Sequence, residues 1–319
     1  MDSGPLALRP IQEEAADFLY EHDRALLLAW VGAGKTATTL TAMRDMVLHG
    51  IARRFLVLAP MRVATEVWPV EAKLWAPELR VAVCHGSPKQ RWSALTDDTA
   101  DVVVATYDNL QWLAEQDFPP FDGVVYDELT RLKNPSGKRF KACEKIVKDI
   151  PIRWGLTASF TSNGLEDTFG QCKAVDTAIL GRAKGVFLQQ YFYCLSREHN
   201  DWAAKPGALE QVMERIKPST FVVEAHEYKD SLPPLYTIPV PVTMDLKPYR
   251  KLARDMVLEY GGRTITAGDA AVVTGKLQQL ASGFLYSDAG PVWVSTHKFD
   301  RLQELLDENQ RACSIIKKF

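Results

Sequence analysis

Residues 25–36 read ALLLAWVGAGKT, an apolar run that breaks into two glycines and ends in a Lys-Thr pair. The run over residues 25–30 has no polar alternation, which is the pattern of a strand covered on both faces in a parallel sheet. From Ala29 to Thr36 the chain fits small-x-x-x-x-Gly-Lys-Thr. Gly32 and Gly34, with Ala33 between them, allow backbone N–H groups to turn inward around phosphate oxygens. A helix predicted to begin at Thr36 brings its positive N-terminal end to the same place. Lys35 supplies a point charge for the β- and γ-phosphates, and the Thr36 hydroxyl can ligate Mg²⁺. The ligand read from this segment is ATP with Mg²⁺.

Outward from this loop the texture repeats. Apolar runs at residues 54–59, Val81–Cys84, 101–106, Gly123–Asp127 and 152–157 alternate with amphipathic segments. Over residues 36–49 the helical spacing carries Leu40, Met43, Val47 and Leu48; over 63–75 it carries Val63, Val67, Val70 and Leu74. Strand–helix alternation predicts an open α/β sheet, with ligands at the carboxyl ends of its strands. The run VVYDE, residues 124–128, ends one such strand in two acids. An Asp127 there can hold Mg²⁺, and a neighbouring Glu128 can orient and deprotonate an attacking water. Acids also decorate ordinary solvated strand ends, so the upstream phosphate loop is what ties this pair to catalysis.

The bulk composition sets the bounds. The 319 residues suggest about two domains. At 46% hydrophobic, the chain can build a core without staples. A net charge of −2 excludes a general polycation, so any nucleic-acid site must be a local patch. The run Arg131, Lys133, Lys138, Arg139 and Lys141 is one such patch, or else a solvated helix face. Five cysteines without a C-x-x-C pair argue against zinc and disulfides and for a reducing compartment. Neither a signal-peptide core nor an apolar run of ~20 residues is present. A cytoplasmic protein with no membrane partner is expected. Beyond residue 163, residues 166–216 are aromatic and predicted helical. Pro233, Pro234, Pro239 and Pro241 mark a connector. Helices are predicted over 248–260, 269–281 and 298–309, and a strand over 312–316.

Six short motifs stand in a fixed order. They are Leu8-Arg9-Pro10-Ile11-Gln12; the phosphate loop; LAPMRV at 58–63; VATYDN at 104–109; DELT at 127–130 with RLKNP after it; and GLTAS at 155–159, followed by Asn163-Gly164. In this order and spacing the chain resembles superfamily 2 helicases, and within them the Swi/Snf-like DNA translocases of bacteria and phages. Where that family commonly has Gly-Thr-Pro, this chain has Ala158-Ser159-Phe160. Its Thr130 makes the carboxylate motif neither DEAD nor DEAH.

The resemblance implies an α/β fold: a RecA-like P-loop NTPase lobe over residues 1–165 and a helical protrusion over 166–230. A connector with helices over 231–290 and a truncated start of a second RecA-like lobe over 291–319 would follow. It implies adenine contacts from Arg9 and Gln12, catalysis by Lys35 and Glu128, and metal binding by Thr36 and Asp127. Phosphate contacts would come from Arg62, Thr106 and Lys133, and coupling from Thr157 and Ser159. The polymer expected is duplex DNA bound independently of sequence, and the activity is an ATP-dependent DNA helicase or translocase. The family's motifs V and VI are not expected within these residues. The alternative is therefore an ATP- and DNA-binding module with little hydrolysis of its own, its second lobe supplied by a separate chain. An unrelated P-loop enzyme, such as a kinase, is the third reading.

Overall fold

The structure, a computed structural model, describes residues 7–161, 164–196, 201–223, 237–266, 268, 270–287 and 290–308. The chain divides into two compact units, Met1–Pro233 and Pro234–Phe319.

The first unit is built on seven parallel strands. In chain order these are β1 (Arg24–Ala29), β2 (Phe55–Ala59), β3 (Val81–Cys84), β4 (Val102–Thr106), β5 (Gly123–Asp127), β6 (Ile152–Thr157) and, after a helical excursion, β9 (Thr220–Val223). Their order across the sheet is β3-β4-β2-β5-β6-β1-β9, and all six pairings are parallel. Crossovers are helical, as parallel strands require: α1 (Pro10–Glu21) leads into β1, then follow α2 (Lys35–Leu48), α3 (Trp68–Trp75), α4 (Pro88–Leu95), α5 (Leu110–Leu113) and α6 (Lys138–Ile146). Both sheet faces are buried. Along β1, Leu26 and Leu28 belong to one core while Ala25, Leu27 and Ala29 belong to the other, which is why the run could not alternate with polar residues.

Four expectations change. The apolar stripe predicted on α3 faces outward, with Val67, Val70 and Leu74 being 39%, 55% and 52% exposed; Trp68 and Ala72 are buried instead. A π-helical turn, Val63–Val67, precedes α3 and shifts its register. The aromatic segment is not helical throughout. Helices α7 (Asp167–Val175), α8 (Thr177–Leu180) and α9 (Lys184–Tyr191) lead to a hairpin, β7 (Phe192–Ser196) and β8 (Asp201–Ala204), and then to α10 (Ala208–Ile216). Strand β9, expected inside a helical protrusion, returns to the main sheet beside β1.

The fourth change lies in the second unit. Its predicted helix over 248–260 stops early: α11 (Lys247–Asp255) ends at Met256, which takes a left-handed φ of 56°. The chain then enters a hairpin of β10 (Val257–Tyr260) and β11 (Arg263–Thr266) around Gly261 and Gly262. Two glycines at positive φ are what a tight hairpin turn requires. Helix α12 (Ala270–Ala281), the hairpin of β12 (Phe284–Ser287) and β13 (Gly290–Trp293), and α13 (His297–Glu308) complete the described residues. The strand predicted over 312–316 lies outside them. No described helix is long and apolar enough to cross a membrane.

Candidate nucleotide and nucleic-acid site

In a parallel sheet every strand ends on the same edge, so the motif turns gather there. Read across the sheet, β1 carries the phosphate loop, β6 leads to Thr157 and Ser159, β5 ends in Asp127, β2 leads to Arg62 and β4 ends in Thr106. β1 and β5 are separated only by β6, about 10 Å at the usual strand spacing.

Gly32 and Gly34 both adopt left-handed backbone, with φ of 84° and 83°. Gly34 precedes α2, which starts at Lys35, one residue earlier than expected. The Lys35 ammonium donates to the carbonyls of Ala29 at 2.7 Å and Trp30 at 3.1 Å. The ammonium is thereby held by carbonyls at the end of β1, where the loop begins. Burial pushes its pKa down, while the Asp127 and Glu128 carboxylates push it back up. That mutual influence places the ammonium and the acid pair in one field. Thr36 is half-buried and its hydroxyl has no partner among the described residues.

Gln12 ties the first motif to this loop. Its Oε1 accepts from the Arg9 N–H at 2.9 Å and its Nε2 donates to the Ala33 carbonyl at 2.8 Å. An amide side chain has two donors and two acceptor sites, so one of each is left for a base. A Cβ on Gly34 would stand 2.1 Å from Gln12 Nε2. Arg9 itself is the N-cap of α1.

The acid pair differs in surroundings. Burial raises the pKa of Asp127, opposed first by a hydrogen bond from Trp68 and then by Lys35. Trp68 Nε1 donates to Asp127 Oδ2 at 2.9 Å. The Glu128 backbone N–H is a second donor to this carboxylate. The carboxylate and the Thr36 hydroxyl are a hard-oxygen donor set that suits Mg²⁺. Glu128 leaves the strand in left-handed backbone, φ 60° and ψ 62°. For a residue with a Cβ this costs energy and is typical of functional turns. Its Oε1 accepts from Thr130 Oγ1 at 2.5 Å and from Ser159 Oγ at 3.4 Å. Ser159 N in turn donates to Thr157 Oγ1 at 3.1 Å. The turn of Thr157 and Ser159 thus reaches Glu128 directly.

The residues expected to meet the polymer are presented unequally. Arg62 is exposed, one turn beyond the end of β2. Thr106 is 2% exposed at the end of β4, so its hydroxyl is not offered on the surface. Lys133 is already paired with Asp167 at 2.9 Å. In the basic run, Arg139 pairs with Asp108 at 3.2 Å, while Arg131, Lys138 and Lys141 are exposed. The aromatic residues Phe187, Tyr191 and Phe192 are core residues; Tyr193 is 56% exposed on β7.

Trp68 and Thr130 are site residues that periodicity did not reveal. Trp68 falls outside the apolar stripe read over residues 63–75, and the signal that bears on it is Pro69, which lacks the N–H a helix interior needs. Tyr107 is a third: buried beside the acid pair, with its hydroxyl pKa raised by burial and by Asp127, and with no hydrogen-bond partner.

Comparison with known proteins agrees with this arrangement. Residues 11–238 match the model of the SNF2-related domain. The protein p41 of Acyrthosiphon pisum secondary endosymbiont phage 1 is 34% identical over 94% of this chain and 69% of its own length. YqhH of Bacillus subtilis (strain 168), an uncharacterized ATP-dependent helicase, is 25% identical over 54% of this chain and 30% of its own. Among solved structures, the Sulfolobus solfataricus SWI2/SNF2 ATPase core in complex with dsDNA superposes with a TM-score of 0.58 at 23% identity, over 70% of this chain and 46% of that one. The chain therefore spans less than half the length of the Bacillus relative and of the Sulfolobus core. Given the RecA-like sheet, the motif turns assembled on one edge of it and a family match over most of its length, the chain belongs to the SNF2-related domain family, the Swi/Snf-like branch of helicase superfamily 2, which comprises nucleic-acid-dependent ATPases.

Proposed function

We propose that the chain hydrolyses ATP and couples hydrolysis to sequence-independent movement along duplex DNA. The observation that carries this is the strand order: the coupling turn of β6 lies between the phosphate loop and the acid pair, and the Arg62 turn lies next to the acid pair on β2. A triphosphate in the loop would take the N–H groups around Gly32, Ala33 and Gly34, and Lys35 would leave the carbonyls of Ala29 and Trp30 for its phosphates. Arg9 and Gln12 would contact the base. Thr36 and Asp127 would hold Mg²⁺, which when bound neutralises phosphate charge. Glu128, held by Thr130 and Ser159, would orient the attacking water and take its proton. Thr157 and Ser159 would carry the state of that site to a neighbouring lobe.

On the polymer side, Arg62 would contact a phosphate, fixing register without reading bases. Thr106 and Lys133 could join only if Thr106 is uncovered and Lys133 exchanges Asp167 for a phosphate. The named DNA of the Sulfolobus complex supports duplex DNA as the polymer. We read residues 1–165 with β9 as the ATP-binding lobe, and 166–216 as the protrusion toward DNA. The test is steady-state ATP hydrolysis with and without duplex DNA, alongside displacement of a triplex-forming strand. DNA-stimulated turnover with displacement is expected. Binding of ATP and DNA with no stimulation would leave the binding-module reading in its place.

A further inference from the structure

The geometry points to Trp68 as a positioning residue for Asp127: a buried indole N–H that fixes the orientation of the Mg²⁺-holding carboxylate. This rests on the reading of Asp127 given above.

Trp68 is fully buried, and its Nε1 lies 2.9 Å from Asp127 Oδ2. A buried donor must be paired, and here the partner is an acid 59 positions away in sequence. A hydrogen bond to an ionised carboxylate is among the stronger kinds, and it holds the plane of the acceptor as well as its place. The Glu128 backbone N–H also hydrogen-bonds to this carboxylate, and the two donors together set which of its lone pairs face a cation. Outer partners of metal ligands commonly act in this way.

The backbone is shaped to deliver that indole. Trp68 N–H bonds to the Val63 carbonyl, five residues back, closing the π-helical turn. Pro69 follows immediately and is the reason for the wide turn: proline has no N–H, and its ring would strike the carbonyl four residues earlier. One extra residue in the turn rotates the helix by about 100°. In a regular helix the stripe of Val63, Val67, Val70 and Leu74 would face the core. After the wide turn Trp68 faces it, beneath the end of β5. Single π turns of this kind concentrate at functional sites. An indole serving packing alone would need no carboxylate at its nitrogen, and any buried carbonyl could satisfy it.

The experiment is a Mg²⁺ titration of fluorescent ATP-analogue binding to the whole chain, with an EDTA arm, for wild type and Trp68→Phe. The phenyl ring keeps most of the packing and removes the N–H. Expected is unchanged affinity in EDTA and a rise of about tenfold in the Mg²⁺ concentration giving half-maximal enhancement. A wild type whose binding ignores Mg²⁺ removes the underlying reading of Asp127. A wild type that responds, with a Phe variant responding at the same Mg²⁺ concentration, overturns the role of Trp68 alone. If the variant loses cooperative thermal unfolding, the wild-type indole protons answer instead. Of the 8 tryptophan signals, the one moved by Asp127→Asn must move again when Mg²⁺ joins the nucleotide-bound chain. Absence of a signal that does both overturns the proposal.

Discussion

Two glycines in the phosphate loop share almost the same backbone angle and differ in what surrounds them, so they form a controlled pair. A Cβ on Gly32 meets nothing within 4 Å, whereas one on Gly34 would sit 2.1 Å from Gln12 Nε2. Both alanine variants carry the left-handed penalty of about 1–2 kcal/mol for a residue with a Cβ. Only Gly34→Ala also displaces Gln12, breaking its bonds to the Ala33 carbonyl and the Arg9 N–H. At about 1 kcal/mol for each net hydrogen bond, the second variant should lose about 2 kcal/mol more than the first. For a unit of this size that difference is about 4–8 °C in Tm. The assay is thermal or urea unfolding of the four-membered cycle Gly34→Ala, Gln12→Ala, both together, and wild type, with Gly32→Ala as reference. In the Gln12→Ala background the cost of Gly34→Ala should fall to that of Gly32→Ala. ATP affinity should fall in both glycine variants, and further in Gly34→Ala. Equal losses for the two glycines, or no relief from Gln12→Ala, would falsify the claim that Gln12 braces the loop.

Thr130→Val removes the 2.5 Å donor to Glu128 and should lower DNA-stimulated kcat about tenfold with KM nearly unchanged, since such bonds to charged groups contribute about 1.5–3 kcal/mol. Ser159→Ala removes only a 3.4 Å contact and should cost less; the reverse ranking in steady-state kinetics would refute the assignment. Arg62→Ala should reduce the salt dependence of DNA affinity by about one unit of log–log slope, measured by fluorescence anisotropy. Lys133→Ala, whose ammonium is already held by Asp167, should change that slope less; a larger effect there would shift the polymer path. Burial pushes the Cys84 and Cys143 thiols up to about 11 and about 12 and raises Cys172 as well, so almost no thiolate forms on them at neutral pH. A Cys194→Ser, Cys313→Ser chain should therefore react with a thiol reagent only on unfolding. Rapid labelling of the native double variant would contradict the buried core around those residues.

The strands were legible because burial on both sheet faces leaves no room for polar alternation: residues 25–29, 55–59 and 102–105 are apolar for that reason. The glycine turn after β1 and the helix that follows it were legible because the combination proposed to hold a phosphate, inward N–H groups, one ammonium and one hydroxyl, lies within a few residues. Asp127 and Glu128 were legible as the end of such a strand. Less was legible wherever a contact is made at long range. The helix of residues 63–75 was read in the wrong phase because Pro69 widens the turn before it, and a 3.6-residue period assumes an unbroken helix. Lys133 and Thr106 carry the right chemistry for phosphate, yet one is paired across 34 positions and the other is covered.

The linear chain by itself determined which groups exist and which turns they occupy, since those depend on neighbours within a few residues. The tertiary structure decided which turns meet. Inserting β5 and β6 between β1 and β2 set the acid pair two strands from the phosphate loop and the Arg62 turn one strand beyond that. Helix packing on the sheet also set Trp68 against Asp127 and Gln12 against Ala33. Pairings of this kind arise from burying both faces of one sheet at once, a condition on the whole fold that no local window of sequence contains.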